Sequence, residues 1–407
     1  MALVWDQFAP YHVDRCEAAA RSLGGRADLL CVEIATASRR YAWPPSGPLT
    51  AARKHVLFPG RAVEDIGPFE RWRGLYRALA GCDVVILGVP SSSPATIMLA
   101  KALQRGGSRV WFCSDSKADD YPRAAWAERI KSRLLAVYDG GIVAGSRTRS
   151  YYRGLGRSPA ALLPGYATVS VARIRASAQA AALAPALGAA SGPAPGAAES
   201  KPFVFVGRFV DKKALDVLLA AYAQYRGEAG TPRELVLVGD GPLNAALKAQ
   251  AEELGIAEHL AWPGFLDAPA TASHLVGAAA LCLPSREEQW GLVVNEAVAL
   301  GVPVIASAQV GATDLLVAHG VNGLVVETGS VRALADAFKR FDAVPLRDCP
   351  QDIAWLADSE RFADAVEAIV FPGNPAVRDR IARMNEALDR SAGDRCGTGD
   401  RAAPFEA

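Results

Sequence analysis

The 407-residue chain lacks most of the signatures that name a function directly. Its seven cysteines, at 16, 31, 82, 113, 282, 349 and 396, include no CxxC pair and are odd in number. That argues against a zinc ribbon or a disulfide framework and for reduced thiols. No apolar run reaches the roughly eighteen residues of a transmembrane helix. Met1-Ala-Leu-Val-Trp-Asp-Gln-Phe8 has no basic stretch before a long apolar core, so it reads as a first strand and not a leader. No GxGxxG follows either domain's opening strand, which sets aside a Rossmann dehydrogenase. Net charge is only +1, and no DNA- or RNA-binding motif is present, so nucleic acid is not expected as a partner. The expected location is the cytoplasm.

What is present is an almost unbroken alternation of strand-like and helix-like stretches, the pattern of an α/β protein with mainly parallel sheets. Strands are expected at 2–7, 27–34, 84–88, 110–113 and 141–145, with helices near 13–22, 94–105 and 125–137. Between 175 and 200 the composition turns to Ala, Pro, Gly and Ser, as in a linker. Strand signals resume at 203–207 and recur at 235–239, 260–263, 278–283, 302–307 and 323–327, with helices such as 214–225 and 243–254 between them. Two more helices are expected at 359–370 and 375–388. The predicted organisation is a first domain over 1–174, a linker over 175–200, a second domain over 201–372, a helix within 373–392 and a frayed tail over 393–407. A cleft between two such domains is a common place for a ligand.

The most informative stretch is 285–307, Ser-Arg-Glu-Glu-Gln-Trp-Gly-Leu-Val-Val-Asn-Glu-Ala-Val-Ala-Leu-Gly-Val-Pro-Val-Ile-Ala-Ser. It reads as loop, helix and strand after a buried strand, a βαβ unit whose ligands bind at the carboxyl ends of the strands. Gly291 lets backbone approach a ligand, and the amides of Leu292 and Val293 open a helix, where phosphate is attracted. Glu288 sits in the loop and Glu296 on the helix among apolar neighbours, where a carboxylate needs a partner. Glu287 and Glu288 also fit a solvated acidic pair. In Val206-Gly-Arg-Phe-Val-Asp-Lys-Lys213, Arg208 and Lys213 suit a diphosphate or are surface cations. In Val238-Gly-Asp-Gly-Pro242, Gly239 and Gly241 follow a strand, either to admit a nucleotide or to make a turn.

In this order the pieces resemble a retaining, nucleotide-sugar-dependent glycosyltransferase of family 4, within the group 1 glycosyltransferases. The resemblance rests on Gly207-Arg208 with Lys213, Val238-Gly-Asp-Gly-Pro242, Pro284-Ser285, Glu288 with Glu296, and Gly301-Val-Pro-Val-Ile-Ala306. It implies the GT-B fold: two Rossmann-like α/β domains facing across a cleft, with a C-terminal helix, here 375–388, crossing back to the first domain. It also implies roles. Arg208 and Lys213 would bind the donor diphosphate, Glu288 would face the transferred sugar, and Glu296 the ribose hydroxyls. The amides of Gly291, Leu292 and Val293 would meet sugar and phosphates, and Gly239 and Gly241 would lie near the base. Ala214 departs from the family's usual glycine after the lysine.

The first half matches the family less well. His12, after the first strand, and Asp115, after a middle strand, stand where acceptor-side groups are expected; each also has a structural reading, as a core histidine and as a helix cap. The loop Gly88-Val-Pro-Ser-Ser-Ser93 offers acceptor hydroxyls or a cap. Basic residues at 123, 129, 131, 133, 147, 149, 153 and 157 read as a solvated face or as contact with a lipid phosphate or the cytoplasmic face of a membrane. The expected reaction moves a sugar from a UDP- or GDP-sugar to a hydroxyl of a glycan, lipid-linked or small-molecule acceptor, with no metal ion or other cofactor. A non-catalytic nucleotide-sugar-binding subunit, and a phosphorylase or epimerase of the same fold, stay open as alternatives.

Overall fold

The computed structural model describes residues 1–40, 43–183, 201–343, 346 and 349–396. The chain forms two compact units: residues 1–170 together with the segment from Ser359 onward, and Val171–Asp358.

In the first unit the elements run β1 (Ala2–Trp5), α1 (Pro10–Leu23), β2 (Leu30–Ala37), β3 (Arg53–Ala62), α2 (Pro68–Leu79), β4 (Val84–Leu87), α3 (Pro94–Arg105), β5 (Arg109–Ser114), α4 (Ala125–Leu135), β6 (Gly140–Val143), α5 (Ser146–Gly154) and β7 (Leu162–Pro164). They build a seven-stranded sheet in the order β3-β2-β1-β4-β5-β6-β7, with every pairing parallel. The inner strands are apolar along their length because helices cover both faces. Val4, Val32, Val85, Leu87, Val110 and Phe112 are buried together with Leu75, Leu99, Leu103 and Leu135 from the helices. β3 was not expected from the sequence: as an edge strand it alternates exposed and half-buried residues and carries Pro59 and Gly60.

The second unit runs α6 (Val171–Leu183), β8 (Phe203–Val206), α7 (Leu215–Glu228), β9 (Leu235–Val238), α8 (Asn244–Glu253), β10 (Leu260–Gly264), α9 (Ala268–Val276), β11 (Ala280–Leu283), α10 (Leu292–Ala299), β12 (Val304–Ser307), α11 (Thr313–Leu316), β13 (Gly323–Val326), α12 (Val331–Ala343) and α13 (Gln351–Ala357). Its six parallel strands lie in the order β10-β9-β8-β11-β12-β13. The chain then returns to the first unit as α14 (Glu360–Val370) and α15 (Pro375–Cys396).

Two expected boundaries differ. The second domain was predicted to extend to 372, but the return to the first unit begins at Ser359. The reason is the face of α14: Phe362, Val366 and Ile369 are buried, and the helix packs on α1. Arg26 of the first unit also pairs with Glu367 at 2.6 Å, and Ser22 donates to it at 2.7 Å. The linker predicted from 175 begins instead as helix, since 175–183 complete α6. Alanine is the strongest helix former, and α6 has a partner in α9. The rest of that stretch, 184–200, and the tail from 397 lie outside the described residues.

Candidate functional site

Strand order in the second sheet reverses between β8 and β11, so the loops after these strands flank a topological switch point, the usual ligand position in such sheets. The sequence candidates Arg208, Lys213 and Glu288 lie in those two loops. Arg208 is exposed just beyond β8, while Lys213 and Glu288 are mostly covered, at 14% and 13% side-chain exposure. Lys213 Nζ donates to Glu288 Oε2, and Ser285 Oγ donates to the same oxygen at 3.2 Å.

The two loops are tied together by backbone as well. The Arg286 and Glu287 amides donate to the Lys212 carbonyl at 2.8 and 3.2 Å. Arg286 also forks onto Asp216 at the start of α7, at 2.9 and 2.5 Å. That bond and the positive charge of Arg286 hold the Asp216 carboxyl below the usual carboxylate range. On the other side, Glu288 bridges Val310, and the Gly311 amide donates to the Glu288 carbonyl at 3.2 Å. Ser307 Oγ at the end of β12 donates to the Ser285 carbonyl at 2.6 Å. Of these supports Ser285 belongs to the Pro284-Ser285 piece seen in the sequence, whereas Arg286, Asp216, Ser307 and Gly311 were given no role by sequence reasoning.

Gly239 and Gly241 have a structural explanation. A Cβ on Gly239, whose φ is +137°, would lie 1.9 Å from the Gly207 carbonyl oxygen, and one on Gly241 would lie 2.5 Å from the Phe209 carbonyl oxygen. The Gly-x-Gly therefore lets the β9 loop close onto the β8 loop that carries Arg208. Ala214, between Lys213 and α7, is the one described non-glycine residue with positive φ, at +54°. This is the conformation the family's glycine adopts freely, held here by a fully buried alanine.

Gly291, at φ +93°, is the N-cap of α10, with neither a capping side chain nor an acid in the first turn. The Leu292 and Val293 amides therefore have no carbonyl partner within the helix, while the Val294 amide donates to the Gly291 carbonyl at 2.9 Å. Trp290 anchors this entry, with Nε1 donating to Asn295 Oδ1 at 2.8 Å, and Asn295 in turn donates to the Ala357 carbonyl at 3.2 Å. Glu296 is half-buried one turn further on.

In the first unit the candidates fare differently. His12 is buried in the first turn of α1 and stacks on Trp5 at 4.9 Å. Its Nδ1 lies 3.1 Å from the Ala9 amide nitrogen and 3.0 Å from the Gln7 carbonyl oxygen, accepting from the first or donating to the second according to tautomer, so the ring is tied to the entry of α1. Burial, then the charge of Arg15, push its pKa well below the ordinary histidine value. Asp115 does not cap a helix, because α4 starts at Ala125 behind an Ala124 N-cap. The intervening loop is pinned by the buried pair Lys117–Asp120 at 2.7 Å. Ser93 does cap α3, accepting the Thr96 amide at 3.2 Å. Much of the basic stretch turns inward. Arg123 and Lys131 donate to Tyr151 Oη at 2.7 and 2.9 Å, Arg147 pairs with Asp119 at 3.1 Å, Arg149 with Asp389 at 3.0 Å, and Arg157 donates to the Tyr138 carbonyl at 2.7 Å. Arg129, Arg133 and Arg153 stay exposed. No described helix is long and apolar enough to cross a membrane.

Residues 194–343 match the family "Glycosyl transferases group 1". The chain is 29% identical over 293 residues to the GDP-mannose-dependent alpha-(1-6)-phosphatidylinositol monomannoside mannosyltransferase of Mycobacterium tuberculosis, covering 69% of this chain and 71% of that protein. It is 35% identical over 164 residues to the D-inositol 3-phosphate glycosyltransferase of Segniliparus rotundus, covering 39% of this chain and 36% of that one. In fold it is similar to the lipopolysaccharide outer core galactosyltransferase WaaB, with a TM-score of 0.62 at 17% identity over 91% of this chain and 98% of the other. Residues 194–343 thus match the group 1 glycosyltransferases, and the two parallel α/β units have the GT-B fold of the solved glycosyltransferases to which the chain is similar.

Proposed function

We propose that the protein is a retaining glycosyltransferase whose second unit holds a nucleoside-diphosphate sugar and whose first unit receives an acceptor hydroxyl. The observation that carries the donor assignment is the Lys213–Glu288 pair at the β8/β11 switch point, backed by the open amides of α10. In this reading Lys213, Arg208 and the amides of Gly291, Leu292 and Val293 take up the charge that develops on the departing diphosphate. Glu288 then turns to the sugar as positive charge grows at the anomeric carbon, and Glu296 holds the ribose hydroxyls. Because protein cations and amides meet the diphosphate charge, no metal ion is assigned a step. The relatives' names point to GDP-mannose as the first donor to try and to a phosphoinositol-type acceptor.

The test is a thermal-shift screen with UDP, GDP and their sugars, since a ligand bound only by the native state raises its melting temperature. Transfer with the active donor follows, with the product's anomeric configuration read by NMR. Inversion at the anomeric carbon would overturn the retaining assignment; no shift with any nucleotide would overturn the donor site. The reading also includes peripheral contact with an anionic membrane. It is supported by exposed Phe69, Met98, Trp126 and Ile130 on α2, α3 and α4, helices that also expose Arg73, Arg77, Lys101, Arg105, Arg129 and Arg133. Vesicles with acidic lipids should retain the protein at low salt, and Trp126→Ser with Ile130→Ser should release it.

A further inference from the structure

Arg15, in the second turn of α1, is a cation that the fold buries without a counter-charge. It is 2% exposed, and its guanidinium lies 5.0 Å from the Tyr11 ring centre and 4.7 Å from that of Tyr166. Nε donates to the Thr168 carbonyl at 3.2 Å, and among the described residues no carboxylate pairs with it and its two terminal nitrogens have no protein acceptor. Acids nearby serve other groups. Glu33 accepts the Phe8 amide at 2.8 Å and pairs with Lys54 at 2.7 Å, and Asp14 accepts the Ser170 amide at 2.9 Å. Asp115 acts together with Arg15 on Cys113 and Tyr166, with the opposite sign of charge.

The surroundings compound the imbalance. The side chain reaches back toward the start of α1, whose first turn has no acid and whose N-cap is Ala9, so the helix end adds positive potential to the guanidinium. A buried unpaired charge is costly, and folds keep one where something else completes it. At the same carboxyl edge, Gln7 Oε1, an acceptor, is also buried without a partner.

We propose that Arg15 recognises an anionic group, a phosphate carried by the acceptor. Its terminal nitrogens donate to two phosphate oxygens, the tyrosine rings fix the plane of the fork, and Gln7 meets a neighbouring hydroxyl. The inference rests on the glycosyl-transfer reading and narrows it to phosphate-bearing acceptors.

Calorimetry decides it, with inorganic phosphate, D-inositol 3-phosphate and free inositol as probes and saturating UDP or GDP present to occupy the donor cations. D-inositol 3-phosphate should bind wild type at least about tenfold more tightly than inositol. Arg15→Gln should abolish that difference while nucleotide affinity is unchanged, and Arg15→Lys should keep part of it. The ligand-free melting temperature of Arg15→Gln should equal or exceed that of wild type, because the unpaired charge is gone; an arginine that merely braces the fold gives a clear drop instead. Equal binding of inositol and its phosphate, no binding of any phosphate probe, or undiminished phosphate binding in Arg15→Gln overturns the proposal. Should Arg15→Gln not fold, Arg15→Lys decides: reduced phosphate affinity supports the proposal, unchanged affinity ends it. Absence of nucleotide binding counts against the transferase reading alone, and the probes are then compared without nucleotide.

Discussion

Lys213 Nζ donates to Glu288 Oε2, so the cation after β8 and the carboxylate after β11 neutralise each other across the switch point of the second sheet. In the proposed reading, a diphosphate arriving at Lys213 would compete with Glu288 for the same ammonium and would release a carboxylate next to the sugar. The pair is largely covered, so removing one partner leaves the other without its counter-charge. Lys213→Ala and Glu288→Gln should each cost about 1–3 kcal/mol of stability, and the double variant should cost less than the sum by roughly 1 kcal/mol or more. Urea unfolding of the four proteins measures this, and strict additivity would dismiss the coupling. Each single variant should also lose at least about a hundredfold in kcat/KM for transfer.

The loops after β8 and β11 were legible because their chemistry is local. Strand, glycine, cation and carboxylate follow one another within 203–213 and 285–296, and parallel strands are continuous apolar runs. The supports of those loops were not legible. Arg286 meets Asp216 seventy residues away in sequence, a partnership that exists only after β8 and β11 have paired. The first unit was the least legible: His12 and Asp115 stood out as residue types, whereas the structure buries one at the entry of α1 and leaves the other away from any helix start. Arg15 was invisible in the sequence, because an arginine in an amphipathic helix reads as a solvated charge until its burial is known.

Gly239→Ala should be far more damaging than a usual loop substitution. The added methyl would sit 1.9 Å from the Gly207 carbonyl oxygen, which cannot retreat because the Gly207 amide is held by the Val238 carbonyl at 3.0 Å. With a φ of +137° added, the loss should exceed about 3 kcal/mol or abolish soluble expression. Chemical denaturation gives the answer, and a cost below about 1 kcal/mol would mean the two loops are not closed in solution.

Stability should fall on mild acidification because of His12. Its folded pKa lies well below the ordinary value, by burial first and then by the charge of Arg15. The unfolded chain therefore binds a proton that the folded chain refuses, and stability declines as pH drops below about 6.5 toward the folded pKa, by up to about 1.4 kcal/mol per pH unit. His274 and His319 are shifted the same way, so His12→Gln should flatten the profile only in part. Melting temperatures between pH 7.5 and about 5 test this, and a profile unchanged by the substitution would show that His12 titrates normally.

Ala214 offers the sharpest test of how Lys213 is positioned. Its left-handed backbone, at φ +54°, costs an L-residue roughly 1–2 kcal/mol, which glycine would relieve. Against that, Ala214→Gly gives up a buried methyl worth about 0.8 kcal/mol and gains about 0.4–1 kcal/mol of unfolded-chain freedom. The terms nearly cancel, so Ala214→Gly should change stability by no more than about 1 kcal/mol and leave kcat/KM within a few fold. Ala214→Val has no such compensation: a β-branched side chain at positive φ and at a fully buried position should cost about 2 kcal/mol or more. It should also raise the donor KM, because relieving the strain rotates the turn 211–213 that presents Lys213. If Ala214→Val were as stable and active as wild type, the left-handed entry would not be what holds the lysine against Glu288.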